Sequence, residues 1–251
     1  MIRSAWMVLA NLFITIPLSI LVWVAASLGH RGGLYDWVHH AWSRTMLKLS
    51  GVSVATRGLE QVELERPQVF VSNHQSWYDV LSIAAVLPKR YRFVAKKELE
   101  RVPFWGPAWK AAGHISIDRS NTQSAIAALD EAGRRIKEDA SSIVIFPEGT
   151  RSADGELLPF KKGGIMLALR AGVDIVPVYV EGSREVLPRN GWRVTPGPII
   201  VRFGAPIATS GMGEEERDAL VARVRSAIVA LRAEGRVERR TTQPLEQECL
   251  P

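Results

Sequence analysis

An α/β fold, with a mixed but largely parallel sheet flanked by helices and an N-terminal membrane-associated two-helix segment, is what this sequence predicts. Two observations carry that reading. From Val52 onward, short apolar runs alternate with stretches of helical periodicity, the pattern of strands and crossover helices in one sheet. Ahead of them, Ala5 to Leu28 holds no charged residue and is long enough as a helix to cross about 30 Å of hydrocarbon. The 251 residues, 47% hydrophobic, suffice for one such domain with an appendage. The chain accordingly divides into anchoring helices over 1–50, an α/β domain over 51–235 and a flexible tail over 236–251.

Within the appendage, Pro17 interrupts the apolar run, and a proline in mid-helix kinks or breaks the rod. After GHRGG, the stretch LYDWVHHAWSRTMLKL repeats Leu34, Trp37, Val38, Ala41, Thr45 and Leu49 at helical spacing. Asp36, His39, His40, Ser43 and Lys48 fall on its other faces. This second helix is too polar to span and suits the lipid interface, with Trp37 and Trp42 at headgroup depth. Three arrangements compete. A cleaved signal peptide would use Arg3 and a VAAS site, but the run exceeds a typical apolar region of that kind. The others are a single crossing helix and a hairpin kinked at Pro17 lying in one leaflet. Arg31, Arg44 and Lys48 on the body side outnumber Arg3, which places the domain at the cytoplasmic face of the cell's inner membrane.

In the body, strands are expected at 52–57, 68–72, 91–95, 115–118, 142–146, 175–180 and 198–203, where short apolar runs end in turn residues. Helices fit 77–86, 122–138, 161–171 and 214–233. The last shows an apolar stripe of Leu220, Val224, Ile228 and Leu231, and Gly172 and Gly235 read as stop signals. The charged, proline-containing tail after Gly235 reads as disordered.

The unusual residues sit at strand ends. VSNHQSWYDV (71–80) places His74 five positions before Asp79. At about 100° per residue, that step inside a straight helix turns the side chains roughly 140° apart. They meet only if His74 precedes the helix and Asp79 lies in its first turn, which a strand to Val71, a polar turn and a helix from Trp77 allow. The plain alternative is a turn histidine beside a carboxylate favoured by the helix dipole. FPEGTRS (146–152) follows a second apolar run, SIVIF. Gly149 lets consecutive N–H groups point outward, and Arg151 adds a planar fork suited to phosphate oxygens. GHISIDRS offers Arg119, and VAKKELERVPFWG offers Lys96 and Lys97, which otherwise read as surface charges; its VPFWG is apolar enough to touch lipid or close a pocket. In α/β sheets ligands gather at the carboxyl ends of strands, so these motifs are expected to face one crevice.

Composition narrows the chemistry. A net charge of +6 favours an anionic partner: nucleic acid, anionic lipid, a phosphorylated substrate or an acidic carrier protein. No basic aromatic platform or recognition helix stands out, so nucleic acid is disfavoured. The single cysteine, Cys249, excludes a disulfide framework and a cysteine zinc site and favours a reducing compartment; its position does not fit a prenylation box. His30, His39 and His40 belong to the appendage and His114 has no ligand-spaced partner, so no metal site is expected. Neither a Gly-x-Ser-x-Gly elbow nor a nucleotide fingerprint occurs. His74 is thus expected to act as a base on a hydroxyl that the substrate brings, with Asp79 holding its tautomer.

NHQSWYD, GHISIDR, FPEGTRS and IVPVYVEG, in this order and spacing, resemble the four motif blocks of glycerolipid acyltransferases, most nearly the bacterial 1-acyl-glycerol-3-phosphate acyltransferases. The resemblance covers Val69 to Gly182. It implies transfer of a fatty acyl group from a thioester, acyl-carrier protein or coenzyme A, to the sn-2 hydroxyl of lysophosphatidic acid, giving phosphatidic acid. By motif, His74 is the general base and Asp79 its orienting partner. Glu148, Gly149, Thr150 and Arg151 form the phosphate-binding loop, assisted by Arg119 and by Lys96 or Lys97. Pro177 helps build the acyl pocket. No metal or redox cofactor is implied. Another lysolipid acceptor, such as a lyso-ornithine lipid, and a non-catalytic lipid-binding protein are the alternatives.

Overall fold

In the computed structural model, which describes residues 2–30, 32–118 and 122–242, the chain enters through α1 (Ile2–Ser27) and α2 (Gly33–Ser50). It then lays down β1 (Ser53–Arg57), β2 (Val69–Ser72), α3 (Trp77–Val86), β3 (Tyr91–Lys96), α4 (Trp105–Ala111) and β4 (Ile115–Ile117). Next come α5 (Thr122–Glu138), β5 (Ser142–Ile145), α6 (Gly163–Ala171), β6 (Ile175–Glu181), α7 (Ser183–Val186), β7 (Pro198–Phe203) and α8 (Arg217–Thr242). All seven expected strands are present, with ends within two residues of the sequence reading.

The strands form one sheet in the order β1-β7-β6-β2-β5-β3-β4. Every pairing is parallel except that of β6 with β7. A strand buried on both faces needs apolar residues at consecutive positions, and β2, β5 and β6 meet that demand. Val69, Val71, Ile143, Ile145, Ile175 and Tyr179 face α5, α6 and α8. The alternate residues Phe70, Val144, Val176, Val178 and Val180 face α2, α3 and α4. One consequence serves the site: β2, β5, β3 and β6 run in one direction, so the loops that leave their carboxyl ends share one edge.

The appendage is more tightly joined to the body than expected. Val22 and Ala25 of α1 pack with Tyr35 and Val38 of α2 and Ala108 of α4, and Trp42 Nε1 donates to Thr15 Oγ1 at 2.9 Å. These pairings make α1 and α2 an antiparallel hairpin. Trp37 is exposed, but Trp42 is turned onto α1 rather than outward. α1 continues through Pro17; of the two expected effects, a kink or a break, the break does not occur, and the proline removes one N–H without ending the helix. Residues placed on the outer faces of α2 turn inward. Asp36 binds Arg92 at 2.6 Å, and His39 lies among Trp42, Tyr91, Phe93 and His114.

The C-terminal boundary also differs. Gly235 does not stop the last helix, which runs on to Thr242, so residues 236–242 of the expected tail are helical; 243–251 lie outside the described residues. A Cβ at Gly235 would stand 2.3 Å from Glu181 Oε2 and 2.9 Å from Arg202 Nε. Here the glycine admits a buried ion pair instead of ending a helix. Just beyond it, Glu238 binds Arg202 at 2.6 Å and Arg239 binds Glu181 at 2.6 Å, fastening the extra turns to the sheet. Helix propensity alone would favour Gly235→Ala by about 1 kcal/mol. The displaced ion pair reverses the sign, and the variant is expected to lose about 1–3 kcal/mol in urea unfolding; a gain would show that the close approach is not constraining.

Candidate active site

The site begins with a helix start. Ser76 caps α3, its side chain accepting from Tyr78 N–H at 3.1 Å, and Asp79 at the third helical position completes a capping box. Asp79 Oδ2 accepts from Gln75 N–H at 2.6 Å and Ser76 N–H at 2.8 Å, and lies 2.8 Å from His74 Nδ1. His74 therefore sits before the helix and Asp79 in its first turn, the one arrangement in which a five-residue step closes. Because backbone donors already address this carboxylate oxygen, it acts as an acceptor, and Nδ1 carries the hydrogen. Nε2 is left with a free lone pair. The carboxylate is wholly buried while the imidazole is 15% exposed, so of the pair only the histidine meets the surface.

The second motif closes on the first from the neighbouring strand β5. Both polar backbone groups of His74 are taken by that loop: its N–H donates to Glu148 Oε1 at 2.8 Å and its carbonyl accepts from Ser152 N–H at 2.8 Å. Glu148 Oε2 accepts from Leu158 N–H at 2.9 Å, so one buried carboxylate ties three segments together. Phe146 stacks on the imidazole, ring centroids 4.1 Å apart. Gly149 turns with φ +71°, a conformation that side chains strain to adopt. Thr150 is exposed at the loop tip. Arg151 lays its guanidinium over the Trp77 ring, 5.2 Å from the centroid, and forms no ion pair among the described residues.

The electrostatics are uneven. Burial pushes the Glu148 carboxyl up to about 7, against the two backbone N–H bonds that favour its ionised form; the neighbouring Asp79 charge adds to the rise. Arg151 is less basic than a free guanidinium, first because it is partly buried and then because Arg189 stands near it, while the Asp79 charge works in the opposite direction.

The remaining sequence expectations divide. Lys96 and Lys97 lie on the same carboxyl edge, at the end of β3 and just beyond it, but Lys96 is bound to Glu98 at 2.8 Å and both are exposed. Arg119 lies outside the described residues. Pro177 lies within the sheet. It is buried in the middle of β6, registered with Val71, and its carbonyl accepts from Gly204 N–H at 2.8 Å. Strand alternation turns it to the α8 side, away from Phe146 and His74. Sequence reasoning passed over Phe146, Trp77, Lys161 and Arg189. The first two stood inside the quoted motifs, but which ring or cation they would meet depends on chain crossings. Among the described residues no cluster of side chains could hold a metal ion.

An imidazole held on a buried carboxylate, beside an arginine that forms no ion pair among the described residues, thus stands at the carboxyl edge of an α/β sheet. Residues 53–181 match the family described as Acyltransferase, and the chain belongs to that family. It is 36% identical over 201 residues to a 1-acyl-sn-glycerol-3-phosphate acyltransferase of Cocos nucifera, covering 80% of this chain and 63% of that protein. It is 37% identical over 183 residues to the human 1-acyl-sn-glycerol-3-phosphate acyltransferase alpha, covering 73% and 64%. The chain thus spans just under two thirds of the length of these relatives. The crystal structure of PlsC, the 1-acyl-sn-glycerophosphate (LPA) acyltransferase of Thermotoga maritima, superposes with a TM-score of 0.75 at 26% identity, covering 92% of this chain and 95% of that one.

Glu148 makes a stability prediction. Its pKa is raised on folding, so the stability it contributes is fully present below about pH 4.5 and lost as pH rises through about 7. Between those limits the change is roughly 3 kcal/mol. Thermal unfolding of the wild type and of Glu148→Gln is therefore expected to show a difference in Tm that moves against the wild type from pH 4.5 to 8. A difference that stays flat would place the titration elsewhere.

Proposed function

We propose that this protein transfers a fatty acyl group from a thioester to the sn-2 hydroxyl of 1-acyl-glycerol-3-phosphate, forming phosphatidic acid, with His74 as general base. The observation that carries this reading is the 2.8 Å contact of His74 Nδ1 with buried Asp79, beside the unpaired Arg151. The substrate phosphate binds at Arg151 and the turn at Gly149, which brings the sn-2 hydroxyl to His74. Nε2 takes the hydroxyl proton as the oxygen attacks the thioester carbonyl, and Asp79 stabilises the imidazolium. The tetrahedral intermediate collapses with cleavage of the C–S bond, and the leaving thiolate takes the proton back from Nε2. Acyl-carrier protein and coenzyme A both fit as donor, since each is acidic and the chain is basic.

The membrane supplies the acceptor, and α1 is the element suited to reach it. Leu9 to Ser27 is long and apolar enough to cross a membrane. Trp6, Leu9, Leu12, Phe13, Leu21 and Trp23 are exposed on it, Phe13 at 77%. The antiparallel fold-back onto α2 favours a hairpin seated in one leaflet, and the excess of basic residues on the body side is the reason to put the domain at the cytoplasmic face of the inner membrane.

Purified His74→Ala is expected to lose about 10²–10⁴-fold in kcat with lysophosphatidic acid while melting like the wild type; an undiminished kcat would end the base assignment. Leu9→Asp combined with Phe13→Asp changes only exposed side chains, so it is expected to keep the fold and to lower co-sedimentation with liposomes by about tenfold or more. Unchanged sedimentation would remove α1 from the membrane contact.

A further inference from the structure

We infer that Lys161 and Arg189 are additional ligands of the acceptor's phosphate, forming with Arg151 a three-cation cradle that selects a terminal phosphomonoester over a phosphodiester or uncharged headgroup. The inference deepens the proposed acyl transfer and rests on the phosphate lying at Arg151.

Lys161 comes to the site by a specific route. Its N–H donates to Pro147 O at 2.8 Å, which pins the start of its side chain against the 146–152 loop. The stem then crosses Gly149: a Cβ there would lie 3.0 Å from Lys161 Cε and 3.2 Å from Nζ. Gly149 thus meets two demands, a positive φ and room for an ammonium group over the turn. The adjacent Lys162 behaves differently, bound to Asp218 at 2.9 Å. Lys161 Nζ makes no ion pair or hydrogen bond among the described residues.

Arg189 arrives from the other side. Ser76, the residue that caps α3, donates its hydroxyl to Leu187 O at 2.7 Å. That bond fastens the segment after α7 to the residue preceding Trp77, and Arg189 follows two positions later. Its charge is the second-largest influence lowering the basicity of Arg151, after burial. Arg189 also has no ion pair or hydrogen bond among the described residues.

Pairing varies along the chain. Lys97, Arg101, Arg223 and Arg225 also form no ion pair among the described residues, so the place of Lys161, Arg189 and Arg151 at the loop matters more than their lack of partners. Arg57, Arg92, Arg170, Arg202 and Arg232 each meet a carboxylate at 3.1 Å or less. Around the 146–152 loop Arg151, Arg189 and Lys161 form no ion pair among the described residues; Arg189 and Arg151 repel each other, and the Asp79 charge offsets this only in part. Trp77 supplies a π face in place of an anion for Arg151, holding the guanidinium without consuming its N–H donors. A terminal phosphomonoester carries about −1.5 to −2 charges and three acceptor oxygens. One guanidinium fork satisfies two oxygens, and a second fork and an ammonium group complete the set. A phosphodiester has one fewer free oxygen and about half the charge.

Initial rates of the full-length wild type, Lys161→Ala and Arg189→Ala in detergent micelles provide the test, with Lys162→Ala as control. With lysophosphatidic acid, each of the two variants is expected to raise KM by roughly tenfold or more with little change in kcat. The Lys162 control is expected to match the wild type. With lysophosphatidylcholine, a phosphodiester, the rates should be poor and insensitive to both substitutions. An unchanged KM for lysophosphatidic acid in both variants overturns the cradle. Glycerol 3-phosphate titrations followed by ³¹P NMR read binding without turnover. Weakened binding in Lys161→Ala and Arg189→Ala supports the cradle even if the wild type fails to acylate lysophosphatidic acid, in which case the acyl-transfer reading alone falls. Equal affinities overturn the cradle.

Discussion

A single carboxylate oxygen, Asp79 Oδ2, joins the fold of this protein to its chemistry. It accepts two backbone N–H groups at the entrance to α3 and faces the His74 imidazole as well. A helix cap of this kind is worth about 1 kcal/mol, a small term in overall stability. Its structural consequence is larger. Because the backbone donors make the carboxylate an acceptor, the histidine must present its hydrogen to Asp79 and its lone pair outward. Helix initiation and tautomer choice are one event.

The second constraint is the adjacency of β2 and β5. These parallel strands pair from Val69 with Ile143 to Val71 with Ile145, and so deliver residues 74 positions apart, His74 and Glu148, to the same point on the sheet edge. Glu148 then fills the donors left open by the two loops. Burial opposes its ionisation while its two hydrogen bonds favour it. Phe146 backs the imidazole, Trp77 backs Arg151, and the ring faces leave the polar edges of both groups available.

Packing of the N-terminal hairpin follows a different logic. On a helical wheel α2 has a weak apolar stripe and a polar side, and the polar side reads as solvent-facing. The fold uses much of it inside. Asp36 compensates the nearly buried Arg92. His114 Nδ1 accepts the Phe93 N–H at 3.0 Å, and burial holds both His39 and His114 well below the usual histidine range, so they pack as neutral rings. A polar residue is acceptable in an interior when its partner is there, and the partners of α2 come from β3 and β4, far along the chain. α1 keeps its apolar outer side exposed while lying against α2 and α4.

The sequence by itself determined the α/β class, the seven strand positions and most helix boundaries, and it allowed the closure of His74 on Asp79, because each depends on local periodicity or on a span of a few residues. Only the tertiary structure decided that Gly235 admits an ion pair rather than ending a helix, that Pro177 turns away from the imidazole, and that Lys161 over Gly149 and Arg189 near Arg151 form no ion pair among the described residues. Those outcomes depend on which strand lies next to which and which charge finds a partner. Such distances run between segments far apart in the chain, and periodicity along one segment carries no information about them.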